Sequence, residues 1–184
     1  MRIGFLLAPV LLFGISLAQA APPQTLRVDI QHAGDAKSER YALERVVVEP
    51  LPWPGNPARP IDTTNRGAQK FEVVDPDSGR VLYSRGYSTV FGEWQTTDEA
   101  KQTQRSFQES MRFPMPAKPV LVKVYGRDAN NRFAPLWSVR VDPQALDVER
   151  VARPAPAKPI AIRHSGDPSG KVDLLLVGDG YTAA

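Results

Sequence analysis

The hydrophobic pattern near the start of the chain predicts two paired strands. Residues 26–30 alternate apolar with polar side chains, which is the period of a half-buried strand. Residues 32–38, which include His32, are mostly polar and predict a turn. Residues 41–48 then predict a second strand that pairs with the first across that turn.

A proline-rich stretch separates these strands from a predicted hairpin. The prolines between residues 52 and 60 disfavour both helix and ladder hydrogen bonding, so this stretch predicts an extended loop or an edge cover. Trp53 is its expected anchor in the core. Residues 71–74 and 80–83 flank residues 75–79, where a proline presets the turn and a glycine can adopt a left-handed conformation.

A second hairpin is predicted further along the chain. Residues 120–125 and 133–141 are rich in apolar and aromatic side chains, and residues 128–131 between them are typical of a turn. Pro135 cannot donate a ladder hydrogen bond, so it predicts a sheet edge or a bulge near the start of the second strand.

The segment between the two hairpins predicts mixed elements. Residues 88–91 predict a weak strand. Thr96 and Glu99 have the spacing of a capping box, which predicts a short helix over residues 97–104. A further strand is predicted from three apolar side chains of one parity: Phe107, Met111 and Phe113.

These elements predict an all-β fold, an antiparallel β-sandwich with one short helix, over residues 21–142. Residues 143–170 lose the hydrophobic period and are rich in proline, which predicts a semi-rigid linker. Residues 172–177 are apolar except for Asp173, the pattern of a strand buried in an α/β-type sheet. We therefore expect residues 171–184 to begin a second domain, so that the chain is a fragment of a longer protein.

The N-terminus predicts export. Residues 1–20 combine Arg2, an apolar run and the small-residue pattern of a cleavage site, which is typical of a signal peptide. The run is too short for a membrane anchor, so we expect an extracytoplasmic protein without membrane contact after cleavage. Because the chain has no cysteine, packing and not disulfides must stabilise it. Its 23 basic and 20 acidic residues form no basic cluster, which argues against a nucleic-acid partner.

Few residues suggest catalysis. The two histidines, His32 and His164, lie far apart and cannot form an H-E-x-x-H zinc pair. His32 is interpreted as a solvated residue of a turn, and His164 as a solvated residue of the linker. Residues 166–171 (GDPSGK) have three residues between the glycines where a phosphate-binding loop needs four, so they predict only a turn.

Three further motifs are interpreted as structural features without a functional role. Residues 128–131 offer oxygen ligands but lack the glycine and distal glutamate of a calcium loop, so a hairpin turn is preferred. Glu93 and Asp98 could act as paired carboxylates only if a groove brought them together. Six aromatic residues could form a carbohydrate platform but are predicted to be core: Trp53, Tyr83, Tyr87, Phe91, Trp94 and Trp137. We assign no catalytic, cofactor-binding or metal residue to this chain.

Four stretches of the sequence resemble one protein family. They are residues 40–67, 81–100, 131–139 and 165–184, with VVVEPLPWPGNPARPID and GDGYTAA as the most specific strings. Together they resemble the N-terminal region of the IgA-peptidase-like secreted zinc metallopeptidases.

The resemblance implies a β-sandwich, a linker and then a catalytic domain that opens with a strand and a GDGYT turn. It also implies that the zinc and the catalytic glutamate belong to an H-E-x-x-H helix of that further domain, which this sequence does not contain. Asp179 and Tyr181 match only the opening turn.

The first hypothesis is thus an exported, non-catalytic N-terminal domain that supports or positions a peptidase domain, and whose partners are that domain and the peptidase's protein substrate. The alternative is a standalone extracytoplasmic module for binding or adhesion, in which residues 172–177 pack back onto the sandwich as an added strand. A carboxylate enzyme built on Glu93 and Asp98 is the least supported hypothesis.

Overall fold

The computed structural model describes residues 23–155, 160–166, 170–172 and 174–176. Within these residues the chain forms one α-helix, α1 (Val90–Trp94), and a 3-10 turn (Glu99–Lys101). The same residues form eight strands: β1 (Gln24–Gly34), β2 (Glu39–Pro52), β3 (Gln69–Val74), β4 (Val81–Tyr87), β5 (Arg105–Pro114), β6 (Val120–Arg127), β7 (Phe133–Val141) and β8 (Glu149–Arg150).

The strands form two four-stranded sheets. The first sheet has the order β5-β1-β2-β8, and the second has the order β4-β3-β6-β7. Every pairing is antiparallel except the short parallel pairing of β8 with β2. The predicted all-β sandwich with a short helix is therefore confirmed.

The core lies between the sheets. Leu26, Val28 and Ile30 of β1 have no exposed surface, and the same is true of Phe113 from β5. They pack against side chains of the second sheet such as Phe71. Burying a large apolar side chain contributes about 1.5–3 kcal/mol, so this shared core is what holds the two sheets together.

Both predicted hairpins are present. The turn between β3 and β4 has Gly79 at φ 70°, and the Asp75 side chain accepts hydrogen bonds from the next backbone amides. In the hairpin of β6 and β7 the register shifts after Val124, so that Tyr125 pairs with Pro135. This irregularity, on an edge strand, confirms the bulge that the proline predicted.

The predicted strand over residues 88–91 is wrong. The Thr89 hydroxyl accepts a hydrogen bond from the Gly92 amide at 2.9 Å and thereby starts helix α1. Phe91 and Trp94, three residues apart, share the buried face of this helix. The cap and the helical spacing outweigh the β propensity of the segment.

The predicted helix over residues 97–104 is reduced to the 3-10 turn. The Thr96 hydroxyl donates to the Glu93 carbonyl instead of capping a new helix. Glu99 is likewise engaged elsewhere, since it accepts hydrogen bonds from the Trp94 indole and pairs with Arg105. The capping box therefore does not form.

The proline-rich stretch forms a loop after Pro52, whereas β2 extends further than predicted, so that Pro52 pairs with Gln24 of β1. Trp53 is half-buried and packs edge-on against Tyr83, with 5.5 Å between the ring centroids. Its backbone amide donates to the Pro23 carbonyl at 2.7 Å. The loop is thus anchored to the core by this tryptophan.

After β7 the chain stays on the sandwich as far as β8. Val148 belongs to the core, and the Val151 amide donates to the Val48 carbonyl of β2 at 3.2 Å. In the later segment the described apolar residues form no strand and are 76–86% exposed: Val172, Leu174, Leu175 and Leu176. The predicted signal peptide at residues 1–20 lies outside the described residues, and so do Asp173 and residues 177–184.

Candidate functional site

His32 is fully buried and lies within β1, so the prediction of a solvated turn residue is wrong. The strand continues to Gly34 because β5 pairs with it in register along its whole length. Since alternate side chains of a strand share one face, His32 points inward with Ile30. It enters the space between the two sheets.

Both ring nitrogens of His32 face carboxylates. Nδ1 lies 2.9 Å from Glu109 Oε1, and Nε2 lies 2.8 Å from Glu39 Oε2. Glu109 comes from β5 and Glu39 from β2, the two neighbours of β1. The hydroxyl of Tyr41 also donates to Glu39 Oε2, at 2.9 Å. One imidazole thus connects three adjacent strands.

The two faces of the imidazole are covered by aromatic rings. Tyr41 stacks on His32 with 4.1 Å between centroids and 22° between the planes. Phe91 of α1 stacks on it at 3.8 Å and 29°. A cation held against two aromatic rings gains a favourable cation–π interaction. The surroundings of His32 therefore favour its charged form on both faces and at both nitrogens.

These contacts fix the protonation state of the imidazole. Because a neutral ring donates only one hydrogen bond, two carboxylate partners require both nitrogens to carry protons. Burial lowers the pKa of His32, but the hydrogen bonds to Glu109 and Glu39 outweigh this effect and raise the pKa above its ordinary value. The hydrogen bond from His32 in turn lowers the pKa of Glu39.

The cluster carries an excess of negative charge, because two carboxylates surround one imidazolium. Burial, together with the charges of Glu109 and Glu39, raises the pKa of Tyr87. The Tyr87 hydroxyl and Glu109 Oε2 are buried and have no hydrogen-bond partner within the described part of the chain. Leaving a buried polar group unpaired costs about 1–3 kcal/mol. The stability of this end of the interior therefore depends on how the charges around His32 are balanced.

The arrangement does not suit general acid–base catalysis. A base must reach the proton of a substrate, and His32 has no exposed surface. Both of its nitrogens are already engaged with carboxylates. Among the described residues, no group of three or more His, Cys, Asp and Glu side chains could hold a metal ion. The cluster is a charged structural element of the interior.

The other sequence candidates remain apart from this cluster. His164 is exposed. Asp128 accepts hydrogen bonds from the backbone amides of Asn130 and Arg132, which explains the turn at residues 128–131 without a cation. The segment at residues 166–171 lies partly outside the described residues.

The carboxylate and aromatic candidates also have structural roles. Glu93 is exposed, and Asp98 pairs with Lys101 on the surface at 2.7 Å. All six aromatic residues of the candidate platform belong to, or pack against, the two apolar clusters: Trp53, Tyr83, Tyr87, Phe91, Trp94 and Trp137. Their assignment to the core is confirmed.

A surface cleft of about 740 Å³ lies outside the cluster, between the loops at residues 35–38 and 100–104. Its one carboxylate, Asp35, accepts hydrogen bonds from the amides of Lys37 and Ser38 and from the side chain of Gln104.

Within the described residues, no helix is long and apolar enough to span a membrane.

Sequence reasoning missed the His32 cluster, although one signal was available. His32 continues the parity of Leu26, Val28 and Ile30, so a longer strand would have placed it on the buried face. The two glutamates could not be found in this way, because they are close to His32 only after β2 and β5 pair with β1.

Fold and site together define a class, an all-β sandwich with a charged and buried interior cluster. The family model described as Peptidase M64 N-terminus matches residues 17–138, which is most of the sandwich. The chain belongs to this family, and the resemblance found in the sequence is confirmed. It is thus the N-terminal domain of a peptidase-related protein. Comparison with curated proteins finds no match.

Proposed function

We propose that this chain is the exported, non-catalytic N-terminal domain of a secreted zinc metallopeptidase, and that it supports or positions the peptidase domain. The observation that carries the proposal is the family match, which covers residues 17–138 and so includes most of the β-sandwich. The zinc of the parent enzyme belongs to the peptidase domain. The partners of this chain are that domain and the protein substrate of the enzyme.

Two features support this role over an independent binding module. The histidine of the sandwich is buried, and the six aromatic residues of the candidate platform pack in or against the core, so they are not available as a platform for a ligand. The binding-module hypothesis requires the later segment at residues 172–177 to add a strand to the sandwich. Val172 and Leu174 add no strand and are more than four-fifths exposed. An apolar segment of this kind is expected to be buried by a further domain.

The proposal is tested on two polypeptides. We expect purified residues 21–184 to bind only substoichiometric zinc, measured by mass spectrometry of the metal, and to hydrolyse no peptide substrate. We expect the reading frame of the gene to continue past codon 184 into an H-E-x-x-H helix, and the intact secreted protein to bind zinc and cleave peptides. Stoichiometric zinc or peptidase activity in residues 21–184 alone would contradict a non-catalytic role.

A further inference from the structure

Residues 88–104 form a separate cap over one end of the sandwich. This cap segment, as we call it, connects β4 of the second sheet to β5 of the first and contains α1 and the 3-10 turn. It has its own small apolar cluster of Phe91, Trp94 and Ala100, distinct from the main core. Such satellite units can open without unfolding the whole domain.

Few contacts fasten the cap segment to the sheets. The Ala36 amide donates to the Ala100 carbonyl at 2.9 Å, and the Gln95 side chain donates to the Asp35 carbonyl at 2.9 Å. Further polar contacts include Gln104 Nε2 to Asp35 Oδ2 at 3.3 Å and the ion pair of Glu99 with Arg105 at 2.8 Å. The apolar attachment centres on Phe91, which stacks on His32. The imidazole therefore lies directly beneath the cap.

The charged and titratable groups around His32 come from three strands. β2 contributes Glu39 and Tyr41, and β5 contributes Glu109. β4 contributes Tyr87, which is close enough for both glutamates to raise its pKa. The face of α1 that covers the imidazole presents the uncharged ring of Phe91. His32 is the only group in this set that can compensate the two carboxylates.

We propose that His32 is a proton-dependent pin for the cap segment: as an imidazolium it holds the cap closed, and as a neutral ring it releases it. A neutral imidazole donates only one hydrogen bond, so one of the two glutamates then faces a nitrogen lone pair. The cation–π interactions with Tyr41 and Phe91 are lost at the same time. Opening of the cap lets water reach the uncompensated carboxylate.

The direction of the pH dependence follows from the raised pKa of His32. When the cap is open and hydrated, His32 titrates near its ordinary value of about 6.5. Closure is therefore most favourable below that value and weakens as the pH rises through the higher pKa of the closed state. Between these two values the ratio of closed to open states falls by up to about tenfold for each pH unit.

Nuclear magnetic resonance of the imidazole nitrogens tests the first step. The chain has only two histidines, so the His164→Gln variant assigns the remaining imidazole signals to His32. From about pH 6 to about pH 9, we expect His32 to keep both protons clearly above about pH 6.5, the ordinary midpoint of an imidazole. Loss of the second proton of His32 at or below that midpoint would overturn the proposal.

Hydrogen exchange tests the second step. Protection factors, corrected for the pH dependence of intrinsic exchange, should fall in residues 88–104 as His32 loses its proton, while those of β3 and β6 stay constant. The Glu109→Gln variant, which keeps the shape but removes one carboxylate, should lower the titration midpoint of His32 and weaken the pH dependence in the cap segment. His164→Gln is the matched control and should leave both unchanged.

Two results would contradict the proposal that the protonation of His32 holds the cap segment closed. One is cap protection that does not change with pH while His32 titrates, and the other is protection that falls equally in the cap segment and in β6. The titration of the unmodified protein gives this information even if a variant fails to fold.

Discussion

At the scale of single residues, Asp29 is a buried charge of the first sheet that its hydrogen-bond partners compensate. Asp29 is 1% exposed. Its carboxylate accepts two hydrogen bonds from Arg27, at 2.8 and 3.0 Å, one from Arg45 at 2.7 Å and one from Ser110 at 2.6 Å. Burial raises the pKa of Asp29, but these hydrogen bonds outweigh burial and lower the pKa below its ordinary value. The network connects β5, β1 and β2.

We expect Asp29→Asn to lower the free energy of unfolding by about 1–3 kcal/mol at neutral pH, because two arginines lose a charged acceptor in a buried position. Urea unfolding measures this loss. A lowered pKa stabilises the fold above the unfolded pKa of about 3.9 and ceases to do so as the pH falls through the folded pKa. The difference between variant and wild type should therefore shrink in acid.

The matched control for Asp29 is Asp98→Asn. The side chain of Asp98 is 88% exposed and forms a surface ion pair with Lys101. Exposed pairs of this kind contribute little, so the free energy of unfolding should change within about 0.5 kcal/mol. Equal losses in the two variants would show that burial of Asp29 is not the cause.

At the scale of elements, the loop before β3 is fitted closely to β4. The Asp62 side chain accepts hydrogen bonds from the Gly86 and Thr64 amides, which lower the pKa of Asp62 to about 2. Gly67 has φ 88°, and a Cβ there would lie 2.5 Å from the backbone nitrogen and oxygen of Tyr87. Only glycine satisfies both the conformation and the close approach.

Gly67→Ala is therefore expected to destabilise the protein clearly more than Gly79→Ala. Gly79 also has a positive φ, of 70°, but a Cβ there would meet no atom within 4 Å. The Gly79 variant should lose about 1 kcal/mol from backbone strain alone, and the Gly67 variant at least about 2 kcal/mol because the loop must also move. Thermal or urea unfolding of both proteins gives the comparison. If the two variants lose equal free energy of unfolding, the close approach of Gly67 to Tyr87 does not contribute to the cost of the substitution.

At the scale of the whole molecule, the sandwich includes residues that follow the second hairpin. β8 pairs with β2, and Val148 contributes to the core. The Arg150 side chain also donates to the Pro143 carbonyl at 2.9 Å. A chain that ends after β7 exposes the edge of β2 and part of the core.

We expect residues 21–155 to be more stable than residues 21–142 by about 2 kcal/mol or more, since the shorter chain loses the burial of Val148 and the β8 hydrogen bonds. Urea unfolding of the two chains measures the difference. Extension to residue 176 should add little, because Ile160, Ile162 and Leu174 are exposed. Equal stability of the two shorter chains would place the domain boundary at residue 142, as the hydrophobic pattern predicts.

The elements that the sequence predicted well are those with local signals. The hairpin around Gly79 and the bulge at Pro135 follow from turn chemistry and from the missing amide of proline. The segment at residues 88–104 is predicted poorly, because the capping box of Thr96 and Glu99 does not form and helix α1 begins after Thr89 instead. Only the packing of Phe91 and Trp94 at the end of the sandwich selects Thr89.

The sequence by itself determined the all-β class, the two hairpins and the family, because hydrophobic alternation, turn residues and specific strings are local properties of the chain. The tertiary structure alone decided the environment of His32. Its carboxylates are 7 and 77 residues away along the chain, and they approach it only when β2 and β5 pair with β1. The pairing of β2 with β1 follows from the short turn between them. The pairing of β5 with β1 is set by the burial of a shared core, and no local pattern encodes it.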